Sequence, residues 1–195
     1  MSLPADFFSR FIEKWDLYSI ELANYSAPEL NVIFSYEKIE AVGDPNDWRL
    51  IIRDRGENYF KTIDNRLKLS NEYTGFAIRK RDTREIIFLT WIRYKTFYDD
   101  KIKTTIKLTG SGAFFYDSYC IPAYRGNHFQ YKMFIVRINY SYANGLKNGY
   151  TVVSYFNQAS LKAINRLGFK KIATRVFFKP GLIKRILNKI KKADV

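Results

Sequence analysis

The chain has 195 residues, of which 47% are hydrophobic and 17% aromatic, so it is long enough to bury one core and too apolar to be disordered. No linker, repeat or low-complexity segment interrupts it, and we expect a single domain over residues 1–195. The chain contains a single cysteine, Cys120, which excludes an intramolecular disulfide. It also contains a single histidine, and one Cys with one His leaves no credible metal site. Residues 1–15 lack a secretion-signal pattern and no apolar run reaches the roughly 20 residues of a membrane span, which predicts a cytoplasmic protein.

The net charge of +14 is carried by one part of the chain. Residues 121–195 contain 15 Lys or Arg and one acid, whereas residues 1–120 contain 18 basic and 18 acidic residues and are neutral. A basic surface of this size attracts anionic partners, and it also serves simply to keep a protein in solution. The charge alone leaves both interpretations open.

The beginning of the chain predicts one helix and three short strands. Apolar side chains recur at helical spacing over residues 5–15, which indicates a helix packed on the core. Turn-forming residues then separate three β-prone runs. These runs cover residues 18–23, 31–36 and 48–53.

The next segment predicts a helix, a hairpin and an irregular connection. Apolar side chains at helical spacing cover residues 57–69. Residues 74–80 and 85–94 are strand-like and flank a charged turn, which predicts a β-hairpin. Residues 94–112 are polar and aromatic, so we expect a surface connection that is also a candidate lining for a binding site.

A strand, a turn and a long helix follow one another in the middle of the chain. The strand at residues 113–121 stops at Pro122, which has no amide hydrogen for further pairing. The helix after the turn has one apolar face and ends at Gly145. Because the first amides of a helix lack intrahelical partners and lie at the positive end of its dipole, residues 125–130 predict a diphosphate-binding site. The residues of the apolar face are Phe129, Met133, Val136, Tyr140 and Ala143.

The remaining sequence predicts a strand, a capped helix, further strands and a terminal helix. Residues 151–155 are β-prone, and Asn157 then either caps a helix with its side chain or contacts a ligand. Gly168 ends that helix, and residues 169–178 are strand-like. Residues 181–192 form a basic amphipathic helix, which either packs on the core or lies on an anionic membrane surface.

Three linked motifs mark the second half of the chain. They are Ile121-Pro122-Ala123-Tyr124-Arg125-Gly126 before a helix, Asn157 and Ser160 after the next strand, and Leu167-Gly168-Phe169. In this order they resemble the GNAT superfamily of acetyl-CoA-dependent N-acetyltransferases, and several linked motifs are more specific than any one of them. The resemblance implies an α/β (α+β) fold with a mixed, mostly antiparallel, twisted sheet flanked by helices. It also implies a V-shaped splay between strands 113–121 and 151–155.

The same resemblance implies a role for each matched segment. In that family the segment matching residues 125–130 holds the pyrophosphate of coenzyme A with backbone amides. The strand matching residues 119–121 pairs with the pantetheine arm, and the helix at Asn157 lies near the acyl end. Acetyl-CoA is then the implied co-substrate, and the implied contacts are Tyr119, Cys120, Ile121, Arg125, Gly126, Asn127, His128, Phe129, Gln130, Asn157 and Ser160.

Three positions depart from the family pattern. His128 and Gln130 stand where the family has glycines, which leaves the backbone amides in place but crowds the approach of a phosphate. Ile164 stands where many members carry a tyrosine that acts as general acid. The resemblance therefore leaves the acid unassigned.

Acetyl transfer to an amine is helped by a base, a polarised thioester carbonyl and a proton donor for the leaving thiolate. Asp117 is the only acid between Asp100 and Asp194, so it is the candidate base, acting through water or by orienting the amine; the alternative is an ion pair with a Lys or Arg. Three tyrosines are candidate proton donors, and the alternative for each is packing: Tyr119, Tyr124 and Tyr155. A backbone amide of the strand before Pro122 is the oxyanion donor that the resemblance implies.

These observations favour an N-acetyltransferase that moves an acetyl group from acetyl-CoA to a primary amine of a small molecule, for example an anionic amino sugar or cell-envelope precursor. One alternative is a long-chain N-acyltransferase that uses acyl-CoA or an acidic acyl carrier protein. The other is a non-catalytic module of the same shape that binds nucleic acid or, through residues 181–192, an anionic membrane at its inner face. No nucleic-acid motif is recognised, so no specific nucleic-acid partner is expected.

Overall fold

The computed structural model describes residues 12–23, 25, 35–108 and 110–178. These residues form nine strands and four α-helices, with 3₁₀ turns at Pro45–Trp48 and Pro122–Tyr124. The helices are α1 (Arg49–Arg55), α2 (Glu57–Lys68), α3 (Phe129–Ala143) and α4 (Gln158–Arg166). The strands are β1 (Ile12–Glu21), β2 (Tyr36–Ile39), β3 (Tyr73–Arg79), β4 (Ile86–Arg93), β5 (Phe97–Asp99), β6 (Thr104–Ile106), β7 (Gly112–Cys120), β8 (Asn148–Ser154) and β9 (Lys170–Phe178).

Seven of the described strands form one sheet in the order β2-β3-β4-β7-β8-β1-β9. Neighbouring strands are antiparallel except β7 and β8, which are parallel. The N-terminal strand β1 therefore lies between two strands from the other end of the described chain. This arrangement confirms the predicted mixed and mostly antiparallel sheet.

The parallel strands β7 and β8 stay together for only a short distance. Their pairing joins Gly112–Phe114 to Asn148–Tyr150, and beyond it β7 remains paired with β4 while β8 remains paired with β1. At the fork the Thr151 hydroxyl donates to the Phe115 carbonyl oxygen at 2.8 Å. A Cβ on Gly149 would lie 2.6 Å from the Phe115 ring, so only glycine fits there. The predicted V-shaped splay is confirmed.

Helices cover both faces of the sheet. On the α3 face, Phe134 of α3 and Phe169 pack their rings against Phe115 of β7 and one another. On the α2 face, Ile51 of α1 and Ile63 of α2 pack with strand residues that include Leu89 and Trp91, and the β5–β6 hairpin packs beside them on Phe114. The resulting core has two layers with the sheet between them.

Two sequence predictions near the start of the chain are wrong. The helix expected over residues 5–15 is contradicted at Ile12–Trp15, which begin β1, because pairing with β8 and β9 on both sides outweighs local helical spacing. The strand expected at residues 48–53 is instead helix α1. The Asp44 carboxylate accepts the Asn46 amide at 2.9 Å and so caps the turn that leads into it.

The helix predicted at residues 57–69, the hairpin at residues 74–94, and the strands and helices predicted from 113 to 178 match observed elements within about three residues. The 94–112 connection contains the β5–β6 hairpin. Residues 1–11, residues 31–34 of a predicted strand, and the basic helix expected at 181–192 lie outside the described residues. No helix in the described ranges is long and apolar enough to cross a membrane.

Candidate active site

A tight turn leads from β7 into α3. The backbone amides of Tyr124 and Arg125 donate to Ile121 and Pro122 carbonyl oxygens at 2.9 and 3.2 Å, which closes the 3₁₀ turn that begins at Pro122. Gly126 has φ +89°, and a Cβ there would meet nothing within 4 Å. The turn therefore leaves open space beside the start of α3.

The amides after this turn form a cluster of unused donors. In the described parts of the chain, no acceptor takes the backbone N–H of Gly126, Asn127, His128, Gln130 or Tyr131. Residues 125–128 are exposed to solvent, and the positive end of the α3 dipole lies among them. An anion at this position would satisfy several donors together.

The two residues that replace glycines leave the amides accessible. His128 takes the left-handed backbone conformation, with φ +57°, and caps α3 without a side-chain hydrogen bond. The side chain of Asn127 donates to the Tyr124 carbonyl oxygen at 2.9 Å and holds the turn. We find no hydrogen bond from a side chain of His128 or Gln130 to these amides among the described residues.

The end of β7 presents backbone groups to the gap between β7 and β8. The backbone amide of Ile121 donates to the carbonyl oxygen of Ile87, in β4, at 3.0 Å. Because successive peptide groups of a strand point to opposite sides, the backbone groups of Ser118 and Cys120 face the gap. Burial raises the pKa of the half-buried Cys120 thiol, so the thiol is not an activated nucleophile.

A β-bulge interrupts β7 just before this end. Asp117 and Ser118 stand opposite the single residue Thr90 of β4, and Asp117 has φ +46°. Aspartate tolerates this left-handed conformation better than most residues. The Thr90 and Ser118 hydroxyls are 2.7 Å apart and hydrogen-bonded.

The bulge directs the Asp117 carboxylate onto the α2 face. Arg66 donates to it at 2.5 Å and the Tyr59 hydroxyl at 3.0 Å, while Arg55 lies 3.9 Å away. Burial, together with the Asp117 charge, raises the pKa of Tyr59. The ion pair that was the alternative role for Asp117 is therefore present in the structure.

Aromatic rings and arginines surround this carboxylate. The Arg55 guanidinium lies 4.4 Å from the Tyr59 ring centroid and 5.0 Å from that of Tyr119. Arg66 lies 4.9 Å from the Tyr116 ring centroid. We call this group the aromatic–arginine wall; it comprises Arg55, Tyr59, Arg66, Tyr116, Asp117 and Tyr119. None of its members except Asp117 and Tyr119 was predicted as a site residue, although the i, i+7 spacing of Tyr59 and Arg66 puts both on one side of α2.

The remaining candidates lie at the end of β8. Tyr155 is 43% exposed and the Lys14 ammonium stands 3.8 Å over its ring. The Asn157 side chain accepts the Ser160 amide at 3.1 Å, which is a helix cap. Since β7 and β8 run parallel, these residues and the α3 turn lie at the same edge of the sheet. Ile164 is fully buried.

Comparison with known proteins was informative only at the level of structure. No family model and no curated protein matches the sequence.

Within the described residues no group of three or more His, Cys, Asp or Glu side chains is placed to hold a metal ion.

Several solved structures share the fold. A GCN5-related N-acetyltransferase from Sphaerobacter thermophilus matches with TM-score 0.62 and 10% identity over 87% of this chain and 52% of its own. A tandem GNAT protein from the clavulanic acid biosynthesis pathway matches with TM-score 0.61 and 12% identity over 86% of this chain and 53% of its own. AAC(6′)-Iy in complex with the bisubstrate analogue CoA-S-monomethyl-acetylneamine matches with TM-score 0.55 and 14% identity over 75% of this chain and 97% of its own.

The chain spans about half the length of the first two of these proteins. Identities this low establish architecture and leave activity to be argued from the site. The TM-scores of 0.55 to 0.62 show that the overall arrangement of helices and strands is shared with these structures. The chain has the GNAT fold.

Proposed function

We propose that this protein is an N-acetyltransferase that transfers the acetyl group of acetyl-CoA to a primary amine. One observation carries the proposal: an exposed run of unused amides begins α3 at the edge where parallel strands β7 and β8 separate. The amides suit a diphosphate, and the gap suits an extended arm with polar groups along it. One solved structure of the same fold, AAC(6′)-Iy, is a complex with a bisubstrate analogue that contains CoA.

The residues present fit coenzyme A. Its diphosphate would accept hydrogen bonds from the amides of Gly126, Asn127, His128 and Gln130, and Arg125 adds positive charge beside them. The pantetheine arm would pair with the gap-facing backbone of Cys120. When bound, acetyl-CoA supplies the thioester on which the reaction depends.

The chain's own groups would promote transfer mainly by position and polarity. Holding the reactants in place can supply about 7 to 11 kcal/mol of the barrier. The amide of Ser118, at the bulge, faces the gap and is our candidate donor to the thioester oxygen. Burial and the Asp54 carboxylate raise the pKa of Tyr119, so its hydroxyl stays protonated at neutral pH. Tyr119 is one candidate proton donor for the leaving thiolate, and Tyr155, on the other strand, is the second.

Acetyl-CoA at about 100 times its dissociation constant is expected to stabilise the protein by about 2.7 kcal/mol. For a chain of this size the melting temperature should rise by roughly 5 to 10 °C. Differential scanning fluorimetry measures this shift, with acetyl-pantetheine, which lacks the diphosphate, as the matched control. Release of free thiol with a panel of primary amines then tests transfer. No shift with acetyl-CoA or any longer acyl-CoA would refute the proposal.

A proline at position 130 tests whether backbone amides hold the diphosphate. Gln130 is the second residue of α3 and its amide has no acceptor in the described chain, so Gln130→Pro removes a donor to the ligand without removing a helix hydrogen bond. We expect coenzyme A to bind about 10- to 100-fold more weakly, as for loss of one hydrogen bond to a charged group. The control Gln130→Ala keeps the backbone amide, and its affinity for coenzyme A should stay within about twofold of the wild-type value. Equal affinities of the two folded variants, measured by calorimetry, would count against the amide site.

A further inference from the structure

Arg55 carries a guanidinium whose hydrogen-bonding capacity is not used. Within the described residues it makes no hydrogen bond, and its nearest carboxylate oxygen, on Asp117, is 3.9 Å away. The other oxygen of that carboxylate, Oδ2, accepts from Arg66 at 2.5 Å and from the Tyr59 hydroxyl at 3.0 Å. The Arg55 side chain is 40% exposed, so its donors can reach a ligand.

Two rings hold this guanidinium in place. It lies over both the Tyr59 and the Tyr119 ring, at 4.4 and 5.0 Å from their centroids. Cation–π contacts of this kind suit arginine well and restrict the motion of its five N–H donors. A group fixed in advance loses little entropy when it binds an anion.

The position of Arg55 places it on the acceptor side of the proposed site. The α3 turn that would hold the diphosphate leads into α3, whereas Arg55 is the last residue of α1, which packs on the other face of the sheet. If the diphosphate of acetyl-CoA binds at the α3 turn, its pantetheine arm would pass through the gap between β7 and β8. The acetyl group at the end of that arm would then lie near the aromatic–arginine wall. An amine must approach the acyl group from that side.

The wall has a net positive charge. Arg55 and Arg66 share one carboxylate, Asp117, while the nearby Asp54 is paired with Arg53 at 3.1 Å. Unpaired positive charge near an ammonium group lowers its pKa and so favours the reactive free amine. It also favours an acceptor that brings a negative charge of its own.

We propose that Arg55 is the specificity-determining residue of the acceptor site, and that it binds a carboxylate or phosphate group carried by the amine substrate. This inference rests on the proposed transferase function and adds the substrate class to it. A planar guanidinium can make two parallel hydrogen bonds to either anion. A neutral amine of the same size would leave those donors unused.

The experiment compares pairs of acceptors of which one member carries an anionic group and the other does not. Initial rates of thiol release from acetyl-CoA are measured with glucosamine 6-phosphate against glucosamine and with β-alanine against β-alaninamide. For at least one pair we expect kcat/KM to be about 10-fold or more higher for the anionic member. The first pair reports a phosphate and the second a carboxylate.

Variants assign the preference to Arg55. Arg55→Gln should reduce kcat/KM for the preferred anionic acceptor by about 10- to 100-fold, chiefly through KM, and change the neutral member by less than about threefold. For the anionic acceptor, the kcat/KM of Arg55→Lys should lie between the values of the wild type and of Arg55→Gln. Lys61→Gln removes the same charge from an exposed site on α2 and should leave both rates unchanged.

Each outcome is separable from failure of the transferase proposal. A protein that binds acetyl-CoA and acetylates neutral amines at least as well as their anionic counterparts overturns the role of Arg55. So does an anionic preference that survives Arg55→Gln. Absence of acyl-CoA binding overturns the transferase proposal itself, and a thermal shift with acetyl-CoA alone, recorded for every variant, distinguishes the two.

Discussion

Replacing Asp117 with asparagine is expected to lower the free energy of unfolding by about 3 kcal/mol. Asparagine has nearly the same shape and tolerates the left-handed backbone of the bulge, so the change isolates the charge. Arg66, whose side chain is only 16% exposed, would be left without its carboxylate partner. Breaking a buried ion pair costs about 3 to 5 kcal/mol, and partial exposure puts this pair at the low end.

Urea unfolding of wild type and variant measures the loss. Asp64→Asn is the matched control, because it breaks an exposed i, i+4 pair with Lys68 on the same helix and should cost no more than about 0.5 kcal/mol. A double-mutant cycle with Arg66→Met should give a coupling of about 2 kcal/mol between the two side chains. A loss below about 1 kcal/mol for Asp117→Asn would contradict the structural role.

The same variant separates an ion pair from a catalytic base. Removal of a general base lowers kcat by about 10²- to 10⁴-fold, whereas an ion pair that only supports the bulge predicts a loss of less than about 10-fold while the protein is folded. The comparison is made at a temperature well below the melting point of the variant. We expect the smaller loss, because two arginines and Tyr59 surround the carboxylate.

The α3 side of the site was predictable because its signals are local. Pro122 ends β7, and the apolar period that begins at Phe129 fixes where the helix starts, so the run of unused amides between them follows from neighbouring residues alone. The β-prone pattern around Thr151 likewise located β8. Each of these features lies within a few turns of the residues that determine it.

The α2 side was not predictable because its contacts are distant along the chain. Asp117 meets Arg66 across 51 positions and Tyr59 across 58, and nothing in either segment indicates the other. The failure at β1 has the same cause, since its partners β8 and β9 lie at the opposite end of the described chain. The bulge at Asp117 has no sequence signature comparable to a glycine or proline.

Replacing Arg137 with methionine is expected to raise the free energy of unfolding by about 1 to 3 kcal/mol. Arg137 lies on α3 with its side chain fully buried. It donates to the carbonyl oxygens of Met133 and Trp91 at 3.2 and 3.4 Å, and its Nη2 has no partner among the described residues. Burial lowers the pKa of the guanidinium, because no carboxylate in the described chain neutralises it.

The free-energy cost of burying the Arg137 charge exceeds the stabilisation that its contacts provide, so we expect Arg137→Met to be stabilising. Burying an unpaired ion costs several kcal/mol, whereas each of two hydrogen bonds as long as 3.2 and 3.4 Å returns about 1.5 kcal/mol, the low end for a charged donor. The Phe134 ring, 4.3 Å from the guanidinium, adds about 2 kcal/mol at most when desolvated. Methionine keeps most of the volume and can contact the same ring through sulfur.

Two further variants separate charge from packing. Arg137→Ala removes the charge but leaves a cavity, so it should be about 2 to 4 kcal/mol less stable than Arg137→Met. Arg137→Lys keeps a buried charge with fewer donors and should be less stable than wild type. Denaturant unfolding of the series tests both. If Arg137→Met is itself destabilised by more than about 1 kcal/mol, then the bond to Trp91, close to the bulge in the β4–β7 ladder, stabilises the fold more than the charge destabilises it.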